Sequence, residues 1–325
     1  MEIIVSGARP TGRLHLGHLH GALKNWVKLQ ENYRCFFFVA DWHALTTDYA
    51  TPQGITESTM DMLLDWLSVG LDPTRSVMFR QSRVPEHAEL HLLYSMITPV
   101  PWLERNPTYK DQIKELTAKD LTTYGFLGYP VLQAADITIY KANKVPVGVD
   151  QVPHVELTRE IVRRFNQLYG PIFPEPDALL TETQKLPGLD GRKMSKSYGN
   201  AVFLSDTPEE IDQKLSRMMT DPARVRRTDP GEPEKCPAFQ LHKIYCTPEE
   251  IDFVTKGCRT ATIGCLECKK IMIKHVIEDL APVREKRAAL ERQPEQLEAI
   301  LDSGNRAAQE VAAETMTEVR PAVGL

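Results

Sequence analysis

The chain opens on an apolar run at residues 3–6 that stops at Gly7, and this length and flank predict a short buried strand. From Leu16 to about Gln30 the apolar residues Leu19, Leu23, Trp26 and Val27 recur three to four apart, which predicts an amphipathic helix. Phe36–Ala40 is a second buried strand, ending at Asp41-Trp42-His43. Strand, Gly-rich turn, helix and strand compose a right-handed βαβ unit, the start of a Rossmann-like doubly wound parallel sheet. A ligand crevice is expected beyond the strand carboxyl ends, where Gly7, Arg9, Asp41 and His43 fall.

Residues 55–70 carry an apolar stripe of Met60, Leu63, Leu64 and Leu67 and predict a helix stopped by Gly70, with a strand at Ser76–Phe79 after it. From Pro85 to about Phe126 the pattern is helical, broken at Pro99, Pro101 and Pro107. It reads as an insertion (about 80–128) between two halves of the sheet. Ile139-Tyr140 and Val145-Pro-Val147 are short strand candidates, Gln151–Leu168 a strong helix, and Pro171–Leu189 a Pro-rich loop. Residues 208–220 and 239–320 are largely helical and suggest a second, all-helical domain. The division expected is 1–190, then 191–300, then a terminal helix over 301–325 that packs back on the first part.

At 325 residues the chain can bury a substantial core, and 42% apolar with 26% charged residues is ordinary for a globular protein. A net charge of -5 argues against nonspecific coating of nucleic acid, though a local basic patch could still bind RNA. No apolar run is long enough to span a membrane and no secretion signal is evident, so a cytoplasmic location is expected.

Two segments carry candidate chemistry. Ser6-Gly-Ala-Arg-Pro-Thr-Gly12 leads into His15-Leu-Gly-His18 at a predicted helix start, where free N–H groups favour an anion such as phosphate. Gly191-Arg-Lys-Met-Ser-Lys-Ser-Tyr-Gly-Asn200 places Lys193 and Lys196 on a Gly-flanked loop, suited to stabilising charge on a leaving phosphate. Taken singly, the histidines also read as solvated turn residues and the lysines as a solvated charge run. Their joint appearance, one α/β half-domain apart, favours a nucleotide triphosphate site.

Those two segments resemble the "HIGH" and "KMSKS" signatures of class I aminoacyl-tRNA synthetases. Ala40-Asp-Trp-His-Ala-Leu-Thr46, Tyr129-Pro-Val-Leu-Gln-Ala-Ala-Asp136, Val145-Pro-Val-Gly-Val-Asp-Gln151 and His154-Val-Glu-Leu-Thr-Arg159 are similar to the tryptophanyl branch of that class. The resemblance implies that Arg9, Pro10, Thr11, His15, Gly17 and His18 hold ATP, and that Lys193, Met194, Ser195 and Lys196 hold the departing pyrophosphate. Asp150 and Gln151 would lie near the ribose, the activated carboxylate and the Mg²⁺ that travels with ATP. Val5, Gly7, His43, Tyr129, Gln133, Asp136 and Gln151 would line the tryptophan pocket, with Asp136 accepting from the indole N–H. Indole has one donor and no acceptor, so a buried carboxylate suits it. By spacing alone Asp136 reads equally well as a helix or turn cap. Arg9 stands where many relatives have Gln, and Val149 where many have Glu.

The resemblance further implies two-step charging of tRNA(Trp) with L-tryptophan and a homodimer formed through the inserted region, around Pro99–Leu127. The tyrosyl branch, and an RNA-binding paralogue without catalysis, are the alternatives.

Five of the six cysteines fall between 236 and 268, a clustering that in a reducing compartment favours metal over disulfide. Cys236, Cys258, Cys265 and Cys268 supply four thiolates that suit either Zn²⁺ or an iron–sulfur cluster, unless they simply fill core. A subset of tryptophanyl enzymes has a similar pattern holding a [4Fe-4S] cluster, which the resemblance favours with Zn²⁺ second. Cys246 lies outside the pattern. Lys256, Arg259, Lys269, Lys270 and Lys274 read either as an RNA-facing basic patch or as a solvated helix face.

Overall fold

The computed structural model describes residues 1–107, 109–110, 121–180 and 186–325. It separates into two compact units, one of Met1–Gly12, Asn25–Glu182 and Gln293–Leu325, the other of Arg13–Lys24 and Thr183–Arg292.

The first unit is built on a parallel five-stranded sheet in the order β3-β2-β1-β4-β5. Its strands are β1 (Ile3–Ala8), β2 (Arg34–Val39), β3 (Ser76–Arg80), β4 (Lys144–Val147) and β5 (Asp177–Leu180). The strand order reverses between β1 and β4, which makes their carboxyl ends the switch point where such sheets bind ligands. β2 pairs with β1 from Ile3↔Arg34 to Ala8↔Val39. Its run Cys35–Val39 is buried throughout, the continuous apolar strand that a sheet covered on both faces requires.

Helices α1 (Asp41–Asp48), α2 (Ile55–Val69), α3 (Glu86–Ile97), α4 (Tyr124–Thr138) and α5 (Val152–Tyr169) surround this sheet. A short helix, Val100–Glu104, follows α3. Three local expectations change. Asp41-Trp42-His43 opens a helix directly after β2. Ile139 is the C-cap of α4 and Tyr140 follows it in the core, so neither is strand. Their burial arises from helix packing, which a short apolar pair cannot distinguish from a strand. β5 lies inside the stretch read as loop. It pairs with β4 alone, and an edge strand of four residues carries too little alternation to show. Parts of the helical pattern at 85–126, of that loop and of Pro99–Leu127 lie outside the described residues.

The last helix, α10 (Pro294–Ala322), belongs to the first unit and covers the β3 edge. Asn305 Oδ1 accepts the Arg80 N–H of β3 at 2.9 Å, satisfying an edge amide that would otherwise invite pairing. Small residues permit the approach. A Cβ on Gly304 would lie 1.8 Å from the Met78 carbonyl oxygen. Ala308, Ala312, Met316 and Val319 are buried beneath this helix. A side chain the size of Met316 or Val319 contributes about 1.5–3 kcal/mol when fully buried. Arg320 closes the contact with a two-pronged bond to Glu89 at 2.7 and 2.8 Å.

The second unit is helical: α6 (Pro208–Ser216), α7 (Pro237–Tyr245), α8 (Pro248–Arg259) and α9 (Cys265–Leu290). α6 and α8 both start with a Thr–Glu capping box, Thr207 with Glu210 and Thr247 with Glu250. The segment expected as one helix from Leu16 begins as a single turn, Leu16–His18, and widens into a π-helical turn over Leu19–Leu23. Such turns interrupt α-helices most often at functional sites. Among the described residues no helix is long and apolar enough to cross a membrane.

Candidate active site

In the first unit the chemistry gathers on Asp136, a fully buried carboxylate inside α4. It caps nothing. His43 Nε2 lies 2.7 Å from Oδ2, while Gln81 Nε2 donates to Oδ1 at 2.7 Å and His87 Nδ1 reaches the same oxygen at 2.6 Å. The ionised carboxylate can only accept, so His87 Nδ1 donates to it, and in the neutral ring Nε2 is left to accept from the Tyr140 hydroxyl 2.7 Å away. Burial alone would push the Asp136 carboxyl up. The charge and hydrogen bond of His43 and the bond from His87 outweigh it and hold the group ionised, well below the usual carboxylate range. A carboxylate offers about four lone-pair sites, and side chains among the described residues engage three of them, which leaves one acceptor position on Oδ2 for a ligand donor.

Tyr129 stands about two turns earlier on α4, its hydroxyl 3.2 Å from His154 Nε2 on α5, and Asn106 Nδ2 contacts the other ring nitrogen at 3.1 Å. Burial pushes the Tyr129 phenol up, and burial also lowers His154 to about 4, so both are neutral hydrogen-bonding groups near pH 7. Val5 is buried in β1, Gly7 is near its end, and Gln133 is half-buried on α4. Asp150 and Gln151 occupy a 3-10 turn, Val149–Gln151, just beyond β4. Arg9 donates to Thr47 Oγ1 at 3.3 Å, with buried Pro10 and exposed Thr11 beside it. Asp41 is held by the Ser82 side chain and by its backbone N–H at 3.0 Å.

In the second unit His15 and His18 cap each other's turn. The Gly17 N–H donates to His15 Nδ1, and the His15 N–H donates to His18 Nδ1, both at 3.1 Å. With Nδ1 accepting, the proton of each neutral ring sits on Nε2, and that edge is the one able to donate to a phosphate oxygen. Burial lowers His15 to about 4, helped by Lys196 and Lys193. Burial, His15 and the same lysines lower His18 to about 3. The pair therefore acts as neutral donors, and the two lysines supply the positive charge.

The lysine loop is pinned by Asn200, a residue sequence reading passed over. Its Oδ1 accepts the Ser195 N–H at 2.8 Å, and its Nδ2 donates to Asp190 at 2.6 Å and to the Lys193 carbonyl at 3.2 Å. Gly199 (φ 62°) makes the left-handed turn that returns the chain to this hub. Just downstream, the Val202 carbonyl accepts the Leu16 N–H at 3.0 Å, so the loop and the histidine turn share one framework. Ser195 precedes a 3-10 turn, Lys196–Tyr198, and Met194 is buried.

Cys236, Cys258, Cys265 and Cys268 line one pocket together with Arg224, His242 and Lys269. Arg224 and Lys269 are buried, 8% and 6% exposed, which is costly for cations without anionic partners. Arg224 Nη1 lies 3.9 Å from Cys258 Sγ, and its Nε is buried without a hydrogen-bond partner. Burial pushes the thiols of Cys236, Cys258 and Cys268 up, and their mutual repulsion adds to it, the last reaching about 12. Without a metal the burial keeps them neutral thiols, and as thiolates they would need a cationic core, with the two buried cations nearby to balance the remaining negative charge. Most of the basic residues nearby are exposed and carry surface ion pairs. Lys256, Arg259, Lys270 and Lys274 pair with Asp252, Glu234, Asp212 and Glu278, and Lys269 donates to the Ser216 and Met218 carbonyls.

A family model described as tRNA synthetases class I (W and Y) matches residues 2–281. A tryptophan–tRNA ligase of Thermotoga maritima is 56% identical, with 99% of both chains covered. One of Ralstonia nicotianae is 49% identical over 100% of this chain and 98% of its own. The solved tryptophanyl-tRNA synthetase of Campylobacter jejuni, complexed with ADP and tryptophan, superposes with a TM-score of 0.88 at 32% identity over the full length of both chains. The parallel sheet with its switch point, the paired signature segments and this full-length similarity agree, and the chain belongs to the class I tRNA synthetases of the tryptophanyl and tyrosyl group.

Proposed function

We infer that this chain activates L-tryptophan with ATP and transfers the tryptophanyl group to tRNA(Trp), the reaction its relatives are named for. The observation that carries the choice of amino acid is Asp136, an ionised, fully buried carboxylate with one acceptor position left. Indole N–H fills that position. Phenylalanine leaves it unmatched, and a site built around such a bond discriminates strongly against the analogue that lacks it. Tyrosine also donates, so its exclusion must rest partly on shape.

In the first step the tryptophan carboxylate oxygen bonds to the α-phosphorus as the bond to the β-phosphate oxygen breaks, giving tryptophanyl-adenylate and pyrophosphate. No side chain forms a covalent bond. Lys193, Met194, Ser195 and Lys196 act on the leaving pyrophosphate, and His15, Gly17 and His18 donate to phosphate oxygens. Arg9, Pro10 and Thr11 take part in ATP binding, and Asp150 and Gln151 would lie near the ribose, the activated carboxylate and the Mg²⁺ that travels with ATP. Val5, Gly7, His43, Tyr129, Gln133 and Gln151 join Asp136 around tryptophan. In the second step the 3′-terminal adenosine hydroxyl attacks the adenylate carbonyl and AMP leaves. Residues 1–190 then form the catalytic domain, 191–300 the signature loop and anticodon domain, and 301–325 the returning helix. The protein works as a cytoplasmic homodimer.

The four cysteines fit a [4Fe-4S] cluster with a structural role. Two buried cations, Lys269 and Arg224 (whose Nε has no hydrogen-bond partner among the described residues), line the pocket with the four thiols. Four thiolates suit such a cluster, with Zn²⁺ as the second choice. Such a cluster neutralises buried thiolate charge and braces the starts of α7 and α9. The test is iron and sulfide content with tRNA charging, on wild type and Cys265→Ser. Iron lost, charging impaired and pyrophosphate exchange retained support the reading. An iron-free wild type with full charging overturns the cluster, and absent charging with tryptophan overturns the function.

A further inference from the structure

We propose a second metal site in the helical unit, a zinc site of Cys246, Glu250 and His275 with water as its fourth ligand. The three side chains come from three places, the C-cap of α7, the first turn of α8 and the middle of α9. Their ligating atoms nevertheless all lie within 4.8 Å of one another, and all three residues are half-buried.

The spacing needs little adjustment to admit a metal. His275 Nε2 lies 3.0 Å from Glu250 Oε1 and 2.8 Å from Oε2. A tetrahedral zinc bonded to a nitrogen and an oxygen at about 2.1 Å sets those atoms about 3.4 Å apart, so the pair opens by about half an ångström. One thiolate, one imidazole and one carboxylate make a donor set of mixed softness that suits Zn²⁺ better than Mg²⁺ or Ca²⁺. Three protein ligands with water in the fourth position is an ordinary zinc arrangement.

The surroundings orient each ligand. His275 Nδ1 lies 3.7 Å from Glu278 Oε2, beyond hydrogen-bond length, and a rotation of that exposed carboxylate would bring it to the bond that holds a metal-ligating ring with Nε2 toward the metal. Glu250 is aimed by the Thr247 N–H, which donates to Oε2 at 3.0 Å. Cys246 Sγ lies 3.2 Å from His242 Nδ1, one turn back on α7, which holds the sulfur at the α7–α8 corner. Zinc there would lock that corner to α9. The four-cysteine pocket shares none of these three ligands.

Zinc affinity and stoichiometry are measured by competition with a chromophoric chelator on the purified full chain, wild type and Cys246→Ser, Glu250→Gln, His275→Gln and Glu278→Gln. Glu250→Gln keeps an acceptor for the Thr247 N–H, so α8 stays capped. The site predicts zinc affinity at least tenfold weaker in each ligand variant and about tenfold weaker in Glu278→Gln, whose side chain touches no metal. Iron content and helical signal should stay unchanged. Cobalt in place of zinc should give a thiolate charge-transfer band that Cys246→Ser abolishes. Zinc bound equally by wild type and all ligand variants would put the metal elsewhere. A wild type that binds no zinc at equimolar concentration would leave only an ion pair beside a helix cap.

Discussion

His43 Nε2 lies 2.7 Å from Asp136 Oδ2, so a histidine just after β2 and a carboxylate on α4 are joined across the first unit. The contact leaves Asp136 as an oriented anion and settles which of its oxygens faces a ligand. Gln81 and His87 hold the other oxygen. Specificity for an indole donor is in this reading a property of the whole network.

That dependence can be measured away from the substrate. Replacing His87 by Phe leaves Asp136 Oδ1 and the Tyr140 hydroxyl each short of a partner in a fully buried site. An unsatisfied buried group costs about 1–3 kcal/mol, so the urea midpoint should fall by that much and KM for tryptophan should rise. KM for ATP should stay unchanged.

The histidine turn predicts a pH dependence of stability. In the unfolded chain His15 and His18 titrate near the ordinary value of about 6.5. Burial and the neighbouring lysines lower them to about 4 and about 3 when folded. Below pH 6.5 the unfolded chain binds protons that the folded chain refuses. Their contribution is therefore complete above pH 6.5 and declines as the pH falls through about 4 toward 3. Denaturant midpoints between pH 7.5 and 4 should drop more steeply for wild type than for a His15→Gln, His18→Asn double variant.

Lys193 and Lys196 are assigned to charge that develops as pyrophosphate leaves. Alanine at either position should lower kcat of adenylate formation by about 10²–10³ while KM for ATP changes little. Single-turnover measurement separates this from simple loss of ATP binding, which would raise KM and spare kcat.

Gly304 tests the seating of the last helix on β3. Alanine there directs a methyl group at the Met78 carbonyl, whose oxygen lies 1.8 Å from the added carbon. The backbone cannot yield as a flexible side chain would, so Gly304→Ala should cost about 3 kcal/mol in thermal or urea unfolding. A neutral result would place the helix farther from the strand.

Much of this site was legible in the sequence because its parts are local. His15-Leu-Gly-His18 and Lys193-Met-Ser-Lys-Ser197 each occupy one turn, and the strands β1 to β3 announce themselves as short apolar runs. What escaped is what acts at long range. Gln81 and His87 meet Asp136 across about fifty residues, and nothing in their own neighbourhoods marks them. Asn200 looked like the end of a loop and proves to be its hub. The basic residues of α8 and α9 read as a patch or as a solvated helix face, and the acidic partners of Arg259 and Lys270, Glu234 and Asp212, come from elements far away in sequence. Charge counted along a sequence cannot show pairing in space.

The most direct test of the central claim is amino-acid-dependent exchange of labelled pyrophosphate into ATP, with tryptophan and tyrosine compared on wild type and Asp136→Asn. The account predicts exchange with tryptophan and none with tyrosine in the wild type. Asn at 136 should cost about 10²-fold or more in kcat/KM for tryptophan, since a charged hydrogen bond in a buried site is lost. Exchange driven by tyrosine, or an Asp136→Asn protein that activates tryptophan as well as the wild type does, would contradict it.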